Sequence, residues 1–262
     1  MTASHPLTEA ELVVALRASG CVFAEDEAAL LIAEASSESE LQRMADRRIG
    51  GEPLEVILGW AEFRGIRVGI DAGVFVPRYR TGFLVELAVA LANPAPTVID
   101  LCCGSGALGM AFAAVVPGTR LFATDIEPAA IACARRNLAG IGEVFEGDLF
   151  APLPRGLMGG TELLLVNAPY VPTAEIDRMP PEARLYEPLI ALDGGDDGLD
   201  IHRRVAAAAR EWLRPGGTVL IETSDRQRDV AAKIFERNGL TPRVAHSDDY
   251  DATVVSGSRP LD

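Results

Sequence analysis

The sequence predicts an α/β protein with a mostly parallel, seven-stranded sheet covered on both faces by helices. Three observations carry that prediction. Apolar runs alternate with helical stretches from Thr81 onward, a glycine-rich turn follows the first run, and an aspartate stands at or beside the end of each of the first three. A strand-helix-strand rhythm is that of parallel crossover units, whose strands are apolar throughout because both faces are buried. The strand candidates are 97–102, 120–124, 143–147, 162–166 and 218–223. Two further extended segments, 242–247 and 252–257, lie close enough in sequence to pair as an antiparallel edge.

Ahead of these come two smaller units. Residues 1–59 read as short helices: Thr8 to Glu11 and Ser37 to Glu40 each fit a capping box, and Gly50-Gly51 supplies a stop. Residues 60–80 read as a hairpin linker, because Phe63, Ile66, Val68 and Ile70 approximate alternation and glycines punctuate the stretch. Residues 81–262 then form the α/β domain.

Composition narrows the partners. Hydrophobic residues make up 48% of the 262, which is ordinary for a folded protein. A formal net charge of −14 repels phosphate backbones and anionic lipid, so nucleic acid and membrane are disfavoured. No signal-peptide pattern and no run long enough to span a bilayer is present, which predicts a cytoplasmic protein. Cys21 and Cys133 stand alone and Cys102-Cys103 are adjacent, a spacing unlike that of a metal or redox motif. His5, His202 and His246 have no partners at ligand spacing, and no metal is expected.

The chemistry gathers at the strand ends. In "VIDLCCGSGALG", Gly104, Gly106 and Gly109 occupy the first strand-to-helix turn, where missing β-carbons let a ligand approach the backbone and the helix amino end. Asp125 lies 21 residues after Gly104, a spacing that by itself fits NAD as well as S-adenosylmethionine. Three features favour the methyl donor. Asp100 suits a cationic amino group better than a pyrophosphate, Asp148 offers an acceptor to an adenine amino group, and Pro215-Gly216-Gly217 stands between a helix and a strand. A single strand-end aspartate is as readily a turn or cap residue; three in succession point to a site. Cys102 and Cys103 read as small packing residues beside the loop.

The run "LLLVNAPYVP" leaves the core through Asn167, Ala168, Pro169 and Tyr170. The Asn167 side-chain carbonyl and the Ala168 backbone carbonyl are two acceptors, matched to the two N–H bonds of one NH2 group. Holding both turns the nitrogen lone pair toward a methyl donor. Pro169 stiffens the turn, and Tyr170 can stack on a planar amide or ring.

These motifs, with "GEPLEVILGWAEFRG", "FVPRYRT" and "EPLIALDGGDDGLD", resemble the S-adenosylmethionine-dependent protein N(5)-glutamine methyltransferases, which modify the Gly-Gly-Gln glutamine of peptide chain release factors. The resemblance implies a class I, Rossmann-like methyltransferase domain behind a helical substrate-recognition domain. It implies S-adenosylmethionine as cofactor, held by Asp100, Cys102, Gly104, Gly106, Asp125, Ile126, Asp148, Leu149 and Asn167, with Arg78 beside cofactor or substrate. Asn167 to Tyr170 would form the amide site. The implied partner is a protein substrate such as a release factor; a small amide, guanidine or amine is the alternative acceptor, and an adenine amino group ranks below both. Two departures stand out. Ala168 replaces the first proline of an Asn-Pro-Pro-Tyr signature, which costs the turn rigidity, and Tyr79, Arg80 and Gly82 replace a proline and two acids.

Overall fold

A computed structural model describes residues 7–261; His5, the start of the helical unit and Asp262 lie outside the described residues. Four helices come first: α1 (Glu9–Ala18), α2 (Ala24–Glu34), α3 (Glu38–Ile49) and α4 (Leu54–Leu58). At α1 the capping box closes as the sequence predicts. At α3 only half of it forms. Ser37 accepts from the Glu40 N–H, but the Glu40 carboxylate reaches back one residue further, to the Ser36 N–H at 2.8 Å and the Ser36 hydroxyl. Leu12, Leu16, Leu31, Met44 and Ile57 bury against one another as a small separate core.

Strands β1 (Trp60–Phe63) and β2 (Ile66–Gly69) pair antiparallel across an Arg64-Gly65 turn, both residues at positive φ as a two-residue hairpin of this hand requires. Phe63, Val68 and Ile70 lie apart from the small core of the helical unit. They join the core that lies under one face of the main sheet, so the hairpin is anchored to the α/β domain.

The main sheet has seven strands in the order β5-β4-β3-β6-β7-β9-β8. They are β3 (Thr97–Leu101), β4 (Arg120–Asp125), β5 (Gly142–Glu146), β6 (Thr161–Val166), β7 (Leu213–Thr223), β8 (Thr241–Ser247) and β9 (Ala252–Ser258). All neighbours are parallel except β9, which runs antiparallel between β7 and β8. Helices α5 (Gly82–Leu91), α6 (Ala107–Val115), α7 (Pro128–Asn137), α9 (Asp200–Trp212) and α10 (Arg228–Arg237) pack on the faces, and the short α8 (Pro181–Tyr186) lies in the β6–α9 connection. Alternate residues of each strand supply two cores: Val98, Leu121, Leu163 and Leu220 on one side, Ile99, Phe122, Leu164 and Ile221 on the other. Among the described residues no helix is long and apolar enough to cross a membrane.

The topology fixes where a ligand can sit. The chain builds β3, β4 and β5 toward one edge, then returns to lay β6 on the other side of β3. The loops leaving β3 and β6 therefore diverge from adjacent carboxyl ends, with Leu101 in register with Val166 and Thr124. A crevice opens at such a switch point.

Candidate active site

A cavity of about 470 Å³ fills that crevice. Its wall includes Cys102, Gly104, Asp125, Ile126, Asp148, Leu149, Asn167, Ala168, Pro169, Tyr170 and Arg78. Eleven of the positions singled out from sequence thus meet in one place. Asp100 and Gly106 are not on the wall. Gly106, at φ +80, caps α6 with its α-carbon turned to α7, where an added β-carbon would come within 3.0 Å of Leu138. Gly104, at φ +55, leaves open space where its β-carbon would be. Of the two glycines, Gly104 is the one that leaves its backbone open to the cavity.

Asp100 lies beneath the loop, 1% exposed, and accepts the Gly109 N–H at 2.9 Å. Burial, with Asp125 nearby, raises its pKa to about 7 against that hydrogen bond. Its carboxyl braces the first turn of α6. Asp125 braces the same loop from outside: its carboxylate accepts the Gly104 N–H at 2.8 Å and the Glu127 N–H at 3.0 Å. Burial nevertheless raises its pKa. Cys102 sits at φ +55, and burial, with Asp125, Asp100 and Asp148 around it, pushes its thiol well up, so it stays protonated and inert.

Arginines complete the wall. Arg204 of α9 pairs with Asp148 at 2.5 Å. Arg78 donates to both oxygens of the buried Glu187 at 2.7 Å and lies 4.9 Å over the Phe75 ring. Arg80 faces Glu222 at 3.5 Å. The positions that depart from the signature are coupled in space: Tyr79 stacks on Tyr250 at 5.0 Å, and Arg64 joins the Gly82 carbonyl to the Tyr250 hydroxyl. An acid at position 80 would face Glu222 with like charge, whereas Arg80 neutralises it.

Asn167 is half-buried and, among the described residues, no group hydrogen-bonds its side chain or the Ala168 carbonyl. The turn itself is firmly tied despite the missing proline. Val171 and Asp193 form a parallel bridge, with the Val171 N–H on the Leu192 carbonyl at 3.0 Å and the Gly194 N–H on the Val171 carbonyl at 2.9 Å. Sequence reasoning singled out Arg80 as a departure from the signature but missed Thr124, Arg204 and Glu222. Glu222 stands at the end of β7 much as Asp125 closes β4, so the strand-end signal was present there; Arg204 arrives from α9 and carries none.

An open, mostly parallel sheet, a glycine turn at its switch point and an Asn-Ala-Pro-Tyr turn on the neighbouring strand mark the fold of a class I methyltransferase. The family model described as "Methyltransferase small domain" matches residues 72–179. Release factor glutamine methyltransferases of Geobacter sulfurreducens and Streptomyces coelicolor are 38% and 35% identical, over 81% and 83% of this chain and 75% and 79% of their own lengths. The chain belongs to the release factor glutamine methyltransferase family. A solved methyltransferase from Pyrococcus furiosus aligns with a TM-score of 0.58 at 13% identity, covering 76% of this chain and 91% of its own. A ribosomal protein L11 methylase from Lactobacillus delbrueckii subsp. bulgaricus aligns at 0.53 and 18%, covering 73% and 84%. At such identities these two likenesses speak to the fold alone.

Proposed function

We propose that this enzyme methylates the side-chain amide nitrogen of a protein glutamine, with a release factor as acceptor and S-adenosylmethionine as donor. The observation that carries the reading is the unengaged Asn167 amide beside the Ala168 carbonyl, opening into the same cavity as the glycine loop. The names borne by the relatives support the acceptor.

The cavity fits the donor. Its volume lies within the ~300–1,000 Å³ usual for small-molecule sites. The open side of Gly104 leaves backbone accessible, and the Thr124 hydroxyl, buried at the wall, has no partner among the described residues. Gly104, Cys102, Ile126 and Leu149 would flank the group, Asp125 would accept from ribose hydroxyls, and Asp148 from the adenine amino group. A carboxylate has lone pairs enough to keep Arg204 as well. Bound there, S-adenosylmethionine supplies an electrophilic methyl carbon on a sulfonium sulfur. Asn167 Oδ1 and the Ala168 carbonyl accept the two N–H bonds of the acceptor amide, which aims its lone pair. Pro169 and the Tyr170 ring close the site against water, and the departing proton needs no side-chain base.

Label transfer from methyl-labelled S-adenosylmethionine into host extract tests the reading. Protein-fraction label on a release-factor glutamine is expected, falling about 100-fold or more in Asn167→Ala. Label in the small-molecule or nucleic-acid fraction instead would overturn the protein acceptor.

A further inference from the structure

We infer that Glu222 and Gln227, neither of which lines the cavity, are positioning residues that hold the Asn167–Tyr170 turn by gripping Tyr170 at both ends. Both belong to the segment that leaves β7 and turns into α10. Glu222 is 2% exposed, and its Oε1 accepts the Tyr170 hydroxyl at 3.0 Å. Its own backbone is fixed from behind, where the carbonyl meets His202 Nε2 at 3.1 Å. Gln227 takes the other end. Its Nε2 donates to the Tyr170 carbonyl at 2.9 Å and the Asp197 carbonyl at 2.8 Å. Its Oε1 accepts from the Ser224 hydroxyl at 2.6 Å, the Ser224 N–H at 3.2 Å and the Thr223 hydroxyl at 3.2 Å.

The packing leaves this grip no slack. At Gly198, φ +76, a β-carbon would fall 2.2 Å from the Tyr170 carbonyl and 2.3 Å from Gln227 Nε2. Three backbone segments therefore meet at one side-chain amide. With its hydroxyl committed to Glu222, Tyr170 offers the cavity its ring, and its backbone cannot shift without breaking the Gln227 bridge. Asn167 stands three residues upstream in the same turn. Displacing a positioned acceptor by about 1 Å is enough to cost about 100-fold in rate. Glu222 also meets Arg80, so the substituted 79–82 segment reaches the turn through the same carboxylate.

The experiment compares Glu222→Leu, Gln227→Leu and Tyr170→Phe with the conservative Glu222→Gln, whose carbonyl still accepts the phenol. Its kinetic arm rests on the function proposed above; its hydrogen-exchange arm does not. Expected are a fall of about tenfold or more in kcat on a glutamine peptide for the first three, with KM and S-adenosylhomocysteine affinity within about twofold. Glu222→Gln should stay within about threefold of wild type, and Tyr170→Phe with Glu222→Leu should be no worse than either alone. Exchange should quicken about tenfold across 167–173 while β3 and β6 keep their protection. Unchanged exchange in that segment overturns the inference. So does quickening spread through the whole sheet, or undiminished kcat on a loosened turn. If wild type modifies no glutamine, the functional reading fails by itself, and the exchange result still decides whether these residues hold the turn.

Discussion

His202 and Asp100 are buried titratable side chains whose protonation pulls stability in opposite directions. His202 is fully buried on α9, and loss of solvation lowers its pKa to about 4. Between about pH 6.5 and 4 the unfolded chain takes up a proton that the folded one refuses, so this contribution is lost as pH falls. Asp100, raised from 3.8 to about 7, behaves in reverse. Its folded form keeps a proton the unfolded chain has released, and that contribution is lost as pH rises through the same range. At about 1.4 kcal/mol per unit, each group is worth on the order of 3 kcal/mol. Calorimetric melting across pH 4.5 to 7.5 should show His202→Gln gaining on wild type toward low pH. Asp100→Asn should gain toward high pH. Parallel curves for variant and wild type would refute either assignment. The aspartate was visible in the sequence as a strand-end acid, but sequence spacing could not show that its carboxyl accepts the Gly109 N–H.

At the scale of elements, the central strands β3, β4, β6 and β7 were legible because each contains an apolar run bounded by polar or glycine residues, and their parallel direction follows from the helices between them. Less legible was the passage from α9 into β7. The sequence suggests that Pro215-Gly216-Gly217 separates helix from strand, yet α9 ends at Trp212 and β7 begins at Leu213, with the glycines inside it. The reason lies in β6. Leu213 pairs with Thr161, then the register shifts before Thr218 pairs with Leu163, so the glycines form an irregularity that tertiary pairing absorbs. A β-carbon on Gly217 would lie 2.8 Å from the Thr161 carbonyl and 2.9 Å from that of Arg214. Gly217→Ala should therefore cost about 2–3 kcal/mol, a melting point lower by roughly 5–10 °C. Thermal unfolding at neutral pH measures it, and a loss below about 0.5 kcal/mol would mean that β6 and β7 part easily here. Beyond the Asn167–Tyr170 turn, the shape of the β6–α9 connection was not legible, because its short 3-10 turns and α8 owe it to contacts with distant segments.

Those contacts matter at the scale of the whole molecule, where the helical unit has its own core and must be tied to the active site by other means. Arg48 of α3 makes the tie. It grips Glu27 of α2 with two nitrogens, at 2.5 and 3.1 Å, and reaches Glu182 of α8; the Tyr186 hydroxyl of α8 donates to the Gly50 carbonyl at 3.1 Å. The Glu27 hydrogen bond raises the Arg48 pKa further, so the cation persists at any working pH. Helix α8 sits between Met179 and Pro188, both on the cavity wall, which places the helical unit one element away from the acceptor site. Arg48→Ala removes a partner that Glu27 holds in a half-buried setting, a loss that is costly because the remaining charge is left uncompensated. Exchange protection should fall in α3 and α8 and persist in β3 and β6. If the helical unit positions a protein acceptor, KM for the folded acceptor should rise about tenfold or more while kinetics on a short glutamine peptide stay within about twofold. Glu182→Gln, which leaves the Glu27 pair intact, should reproduce the KM change without the loss of α3 protection. An equal rise in KM for both acceptors would place the effect in the cavity itself and remove the helical unit from substrate recognition.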